Sequence, residues 1–402
     1  MVGLSLALQL SRALPPETAI TVVEGAALPT DLPAQAPSYH PSFDARSTAL
    51  SYSSRSIYDA LGLWSGLSEW ACPIETIHVS NRGRFGSSLL RATDYGWPAL
   101  GYVVENAWMG RYLLHAVRED QRIELLSPAK VAGVEMTDRG ARLTLSGEKP
   151  VDIDTSLLVV ADGAASTLRE ALGVAAAEKA YGQHALVANV AFAHAHEGCA
   201  FERFTDQGPL ALLPLMPTDG APHRSALVWT LPQPLADELS QGSEAAFLEA
   251  LQDRFGYRLG RLSQVGERFS YPLSLLQSEE QVRRGVVIMG NAAHALHPVA
   301  GQGFNLALRD VAALAATLAE ALSEGLVLGD LSVLQSYEQR QRDDQAQTIQ
   351  FSDLLPQLFM RSDPVLGITR DMALSGLDVL QPLKRQFVRQ AAGMTALGAA
   401  GG

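Results

Sequence analysis

Two stretches of the 402-residue chain hand a strand over to a helix through glycine and polar residues: "LLVVADGAASTLREALG" (157–173) and "VVIMGNAAHALHPVAGQGFNLALRD" (286–310). A buried strand, a turn and a helix in that order bring backbone N–H groups and a helix N-terminus to one rim of a sheet, and such a rim binds anions. In "GQGFN", Gly301 and Gly303 flank Gln302 and let a ligand approach the backbone. Phe304 begins a helix whose N-terminal end carries about half a positive charge, so a group that becomes negative during a reaction is stabilised there. Gly3 and Glu24 form a third candidate, 21 residues apart, as the last glycine and the ribose-binding acid of a dinucleotide fold would be. Alone, that pair reads equally well as an amphipathic helix followed by an exposed glutamate.

The elements that must position these residues follow from periodicity and breakers. Apolar residues crowd a helix over 2–14, "PPET" ends it, and residues 20–23 make a short buried strand. Pro29, Pro33, Pro37 and Pro41 mark a loop, and "ALSYSSRSIYDALGLW" (49–64) has helical spacing with Gly62 as its C-cap. "GYVVEN" (101–106) is a strand running into the helix "AWMGRYLLHAV". Residues 122–153 alternate as hairpins of a small antiparallel layer. Residues 175–277 are rich in strand patterns and turns, which predicts a second unit built on a sheet, and "GPLALLPL" (208–215) is either strand core or the lining of an apolar pocket. A long Ala/Leu helix runs from 304 to about 323, and after Tyr337 the chain is helical.

Composition narrows the partners. With 31 basic against 43 acidic residues the net charge is −12, and no basic cluster stands against it, so nucleic acid is a poor partner. Cys72 and Cys199 lack metal-ligand spacing and read as free thiols. His294 and His297 sit three apart with no cysteine or carboxylate cluster to join them, so no metal is assigned. His194 and His196 alternate on an expected strand and point to opposite faces. No apolar run reaches the roughly 18 residues that span a bilayer, and the start lacks a signal peptide's basic flank, which makes the cytoplasm the expected compartment.

The mid-chain stretch carries D-G-x-x-S-x-x-R as Asp162, Gly163, Ser166 and Arg169. The later one carries Gly290, Asn291, His294, Pro298, Gly301, Gly303 and Asn305 in the spacing G-D-x-x-H-x-x-x-P-x-x-G-x-G-x-N. In these motifs the chain resembles the FAD-dependent aromatic hydroxylases of class A. From Val2 onward it is most similar to the ubiquinone-biosynthesis group, in "FDARSTAL", "HVSNRGRFG", "GYVVEN" and "AHEGCAFERFTDQGPLALLPL". "EGCAFERFT" with "HVSNRGRFG" looks most like the member acting on 2-polyprenyl-6-methoxyphenol.

The resemblance implies an α/β fold. A Rossmann-like FAD-binding domain (1–65, 101–172 and 278–345) joins a sheet-based substrate domain (66–100 and 173–277) and a C-terminal helical region (346–402). FAD is the implied cofactor and NAD(P)H the co-substrate. Cofactor contacts are implied at Gly3, Glu24, Arg46, Arg111, Asp162, Gly163, Gly290, Asn291, Pro298, Gly301, Gln302, Gly303, Phe304 and Asn305. For Arg46 and Arg111 a surface salt bridge is the ordinary alternative. The implied reaction is hydroxylation of a prenylated phenol, with no catalytic acid or base assigned. A flavin-free scaffold subunit of the same assembly, or a hydroxylase of another ring position, are the alternatives.

Asn291 stands where the wider family has aspartate; its amide oxygen accepts the same bond without the charge. The family also has a strand and "GGG" before the glycine matching Gly3, so the parallel sheet is expected to lack its central strand and to bind FAD more weakly. Asp310 is expected to tie helices together. The C-terminal helices, with Lys384, Arg385 and Arg389, are expected to pack on the core or to meet a membrane surface or the other proteins of ubiquinone synthesis.

Overall fold

A computed structural model describes residues 1–29, 39–82, 87–146, 151–296 and 301–360, with side chains as far as residue 354. Pro33, Pro37, His297, Pro298, Lys384, Arg385 and Arg389 lie outside the described residues.

The first helix, Val2–Ala13, packs on two parallel strand pairs at once. Leu8 joins a core with Ile20 and Ile123, while Leu6 meets Val287 and Met289. In one pair Ile20–Val23 runs alongside Ile123–Leu126; in the other Leu158–Val160 runs alongside Val286–Ile288. These pairs form separate sheets, without strand pairing between them among the described residues. The first helix links the two sheets by burying apolar residues against both. Lys130–Thr137, Gly140–Ser146 and Val151–Thr155 form the small antiparallel layer expected over 122–153.

The expected helix over 49–64 begins later. Ser47–Ser51 pairs as a strand with Gly101–Glu105, and only then does the helix Tyr52–Ala60 start. The switch is local: Ser51 Oγ accepts the Ser54 N–H at 3.3 Å and caps the helix, while Gly62 takes the left-handed conformation (φ 73°) just past its end. His194 and His196 also leave their expected strand, which ends at Phe192; His196 Nε2 then faces the Leu215 carbonyl at 3.1 Å.

Among the described residues the largest sheet has nine strands. Its centre is Ala176–Phe192, Arg224–Pro232, Pro209–Pro214, Cys199–Phe204 and Thr76–Asn81, in that spatial order. Side chains alternate between its faces. Phe201, Leu210, Leu212 and Trp229 point to one face, where Leu239, Phe247 and Leu251 of the helices Gln233–Gln241 and Glu244–Phe255 cover them. Val79, Ala211, Leu213 and Val228 belong to the other face, which borders a cavity. "GPLALLPL" is therefore both things its sequence allowed, core at Leu210 and Leu212 and lining at Pro209, Ala211 and Leu213.

The long helix spans Gln302–Ser323 and is buried on several sides, through Leu306, Val311, Leu314 and Leu318. The helix after it begins at Leu331, earlier than expected, and runs to Met360. Gln345 Nε2 donates to Asp310 Oδ1 at 2.9 Å and Arg309 Nε to Asp344 Oδ2 at 2.6 Å, so Asp310 and its neighbour hold the two helices together.

Candidate active site

The 301–305 turn is built by its own side chains. Gly301 takes the left-handed conformation (φ 60°), where a Cβ would meet Ala49 Cβ at 3.4 Å. No side chain caps the helix that follows, whose first-turn N–H groups have no acceptor within the helix. Asn305 is fully engaged: Oδ1 accepts from Ser51 N (2.8 Å) and Ser54 Oγ (2.7 Å), and Nδ2 donates to Ala49 O (2.9 Å) and Gly301 O (2.7 Å). An amide side chain has two donors and two acceptor lone pairs, so none is left for a ligand. The side chain thus braces the turn, while Gln302, Gly303, Phe304 and Asn305 all border the cavity. A Cβ on Gly303 would meet nothing within 4 Å, which is the open approach a planar ligand needs.

The mid-chain motif splits in the same way. Ser166 Oγ accepts Arg169 N–H at 3.0 Å, and buried Arg169 donates from Nη1 to Ala292 O at 2.8 Å, clamping the two strand–turn–helix segments together. Gly163 (φ 98°) has open space at its missing Cβ and borders the cavity, as does Asn291, while Asp162 is exposed beside them. Gly290 (φ 61°) lies against Val2, and His294 Nε2 sits 3.2 Å from Asp310 Oδ2 of the long helix, both residues buried.

Glu24 follows the strand Ile20–Val23, and its Oε1 accepts the Ala26 N–H at 2.9 Å. It also faces the start of the first helix: burial lowers the pKa of the Met1 amine, and the Glu24 charge opposes that shift. A Cβ at Gly3 would meet nothing within 4 Å, and the neighbouring Met1 and Val2 border the cavity. Arg46 is exposed, donates from Nη1 to Tyr271 Oη at 2.9 Å and lies over the Phe269 ring. Arg111 sits exposed on the helix Asn106–Glu119, near enough to Tyr39 for its charge to oppose the rise that burial imposes on that phenol.

The cavity, about 670 Å³, runs from the 301–305 turn to the inner face of the large sheet. Its walls are apolar apart from a few hydroxyls and amides, and one carboxylate stands in the sheet wall, Glu202. Burial pushes its carboxyl up to about 7. Its only sequence signal is the alternation in "CAFERF", which sets Glu202 with Ala200 and Phe204 opposite Phe201. Arg224, fully buried, pairs with Glu105 and donates to Met216 O and Ser42 O, each at 2.7 Å, fastening the large sheet to the strand Gly101–Glu105. This joint had no local sequence signal.

These residues fit FAD: an uncapped helix end, open backbone at Gly163 and Gly303, and an acid at the strand end beside the first helix. The chain belongs to the FAD binding domain family, whose match covers residues 35–352, and within it to the flavin hydroxylases of ubiquinone biosynthesis. It is 35% identical over 356 residues to ubiquinone hydroxylase UbiL of Rhodospirillum rubrum, covering 89% of this chain and 81% of that one. It is 29% identical over 360 residues to the 3-demethoxyubiquinol 3-hydroxylase of Escherichia coli, covering 87% and 88%. In fold it is similar to P. aeruginosa PqsL in complex with 2-aminobenzoylacetate, with a TM-score of 0.75 at 19% identity over 92% of this chain and 97% of that one. The protein is thus an FAD-dependent aromatic-ring monooxygenase, with NAD(P)H the co-substrate typical of the class, and the flavin-free scaffold reading falls away. No helix among the described residues is long and apolar enough to cross a membrane.

Proposed function

We propose that the protein hydroxylates the phenol ring of a prenylated ubiquinone precursor, 2-polyprenyl-6-methoxyphenol. One observation carries this reading: a single cavity joins the uncapped helix end at 301–305 to an apolar sheet wall. Burying a prenyl tail against that wall is worth roughly 0.8 kcal/mol per methylene, so the wall favours a phenol with a hydrocarbon arm over a small polar one.

FAD, when bound, supplies reduction by NAD(P)H and transfer of one oxygen atom from O₂ to the ring. The chain's own residues do the rest. Backbone N–H groups at Gln302, Gly303 and Phe304 would stabilise negative charge that develops on the flavin. Glu24 and Asp162 would hold its ribose and linker, and Gly3, Gly163 and Asn291 would leave it room. Asn305 and Arg169 hold the turns that present these groups. The sheet excludes water from the reacting ring. Residues 1–65, 101–172 and 278–345 make the cofactor half in this reading, and 66–100 with 173–277 the substrate half. A lipid-like substrate supports work in the cytoplasm beside a membrane surface, next to the other proteins of ubiquinone synthesis.

The test is incubation of the FAD-loaded protein with 2-geranyl-6-methoxyphenol, NADPH and O₂, with product mass and ring position read by mass spectrometry and NMR. One oxygen atom added to the ring supports the reading; NADPH oxidation with unchanged phenol refutes it.

A further inference from the structure

Glu202 occupies the middle of one rung across the large sheet. By register it stands beside Val79 on one side and Ala211 on the other; beyond these come Ser88, opposite Val79, and Val228, opposite Ala211. All five border the cavity. Among the described residues lining the cavity, no other side chain is ionisable. The charged and titratable neighbours lie elsewhere: His78 packs against Phe201 on the helix-covered face, and Arg203, next in the strand, alternates to that same face, where Arg258 acts on both. Among the described residues Glu202 therefore has no counter-ion, and burial accounts for its raised pKa of about 7. A carboxylate with no structural partner, in the wall of an apolar cavity, destabilises the empty fold. Its position suits a polar hydrogen arriving with the ligand.

We propose that Glu202 is the general base of the hydroxylation, accepting the hydroxyl proton of the bound phenol; this rests on the substrate class proposed above. The phenolic O–H bond breaks and an O–H bond forms on the Glu202 carboxylate. The electron pair left on the phenol oxygen moves into the ring and raises its density at the carbons ortho and para to it, where one oxygen atom of O₂ is accepted as the O–O bond breaks; the other oxygen leaves as water, with the two electrons supplied by NAD(P)H. When that carbon releases its hydrogen as a proton and aromaticity returns, the carboxyl hands its own proton back to the phenol oxygen. Nothing is consumed at Glu202. A base whose pKa lies near the working pH is the efficient choice for such a transfer.

The experiment compares FAD-loaded wild type, Glu202→Gln and Glu202→Leu with two probes, 2-geranyl-6-methoxyphenol and its O-methyl ether. Equilibrium dialysis measures binding of each, and product per NADPH oxidised is followed from pH 5.5 to 9. The wild type should prefer the phenol about 10-fold at pH 8, a preference that Glu202→Leu loses. Glu202→Gln should bind the phenol within about threefold of wild type, yet form product about 100-fold more slowly, oxidise NADPH without hydroxylating, and lack the rise in activity with pH through the carboxyl's titration. Wild-type product rates and pH profile in Glu202→Gln overturn the role of Glu202 alone. A wild type that neither binds nor hydroxylates the phenol overturns the substrate assignment, and this role with it.

Discussion

Arg169 donates from Nη1 to the carbonyl of Ala292 at 2.8 Å, joining the two strand–turn–helix segments across 123 residues of chain. The same guanidinium approaches Ala164 O at 3.4 Å. Replacing it with leucine orphans a buried carbonyl, which destabilises by about 1–3 kcal/mol. For Arg169→Leu, urea denaturation should show that loss, and FAD should bind at least about 10-fold more weakly because Gly163 and Asn291 are no longer held in register. Unchanged FAD affinity in a destabilised protein would count against the clamp.

Asn305→Asp tests the brace at the turn. The substitution replaces two donors to Ala49 O and Gly301 O with carboxylate lone pairs, so attraction becomes repulsion. A loss of about 2–4 kcal/mol in stability is expected, from two lost hydrogen bonds and two carbonyls left facing a charge. Flavin fluorescence titration should show FAD binding lost even at temperatures where circular dichroism shows a folded chain.

Gly301 and Gly303 should respond with opposite signs. Alanine at Gly303, on a helix and with open space at its Cβ, should stabilise the FAD-free protein by about 0.5–1 kcal/mol, while its methyl group obstructs the cofactor and weakens binding. Alanine at Gly301 must adopt the left-handed conformation and should destabilise by about 1–2 kcal/mol. Thermal melts with and without FAD separate the two effects.

The raised Glu202 carboxyl makes stability depend on pH. Its folded value of about 7 exceeds the ordinary 4.5, so the folded state holds the proton more tightly. The stability this contributes is whole below 4.5 and is lost as pH rises through 7. Glu202→Gln has no such titration. Its melting temperature should match that of wild type near pH 4.5 and exceed it at pH 8, by the equivalent of about 1–3 kcal/mol.

Arg224→Met leaves Glu105 buried without its cation. Breaking such a pair destabilises by about 3–5 kcal/mol, and calorimetry should find the loss in a protein whose cavity residues are untouched.

Much of the fold was legible before any coordinates. The order of strands and helices, the small antiparallel layer and the strand–turn–helix segments follow from apolar periodicity, and glycine at a turn is visible as a residue type wherever it stands. Local competition blurred some boundaries: residues 49–51 fit a helical pattern by spacing, but pairing with Gly101–Glu105 and the Ser51 cap claim them for a strand. His194 and His196 fit the alternation of a strand, but the strand ends at Phe192 and both fall in the turn before Cys199.

The sequence by itself determined the family motifs, the backbone openings at Gly163 and Gly303, and thereby the cofactor. Only the tertiary structure decided which motif residues meet the cavity and which hold it open. Asn305 bonds Ser51, Ser54 and Ala49, and Arg169 bonds Ala292, all far away in the chain, and no spacing rule shows that. The same is true of Glu202. Alternation sets it on a face, but whether that face meets solvent, a helix or a substrate cavity depends on what packs over the sheet, and packing is a property of distant segments brought together.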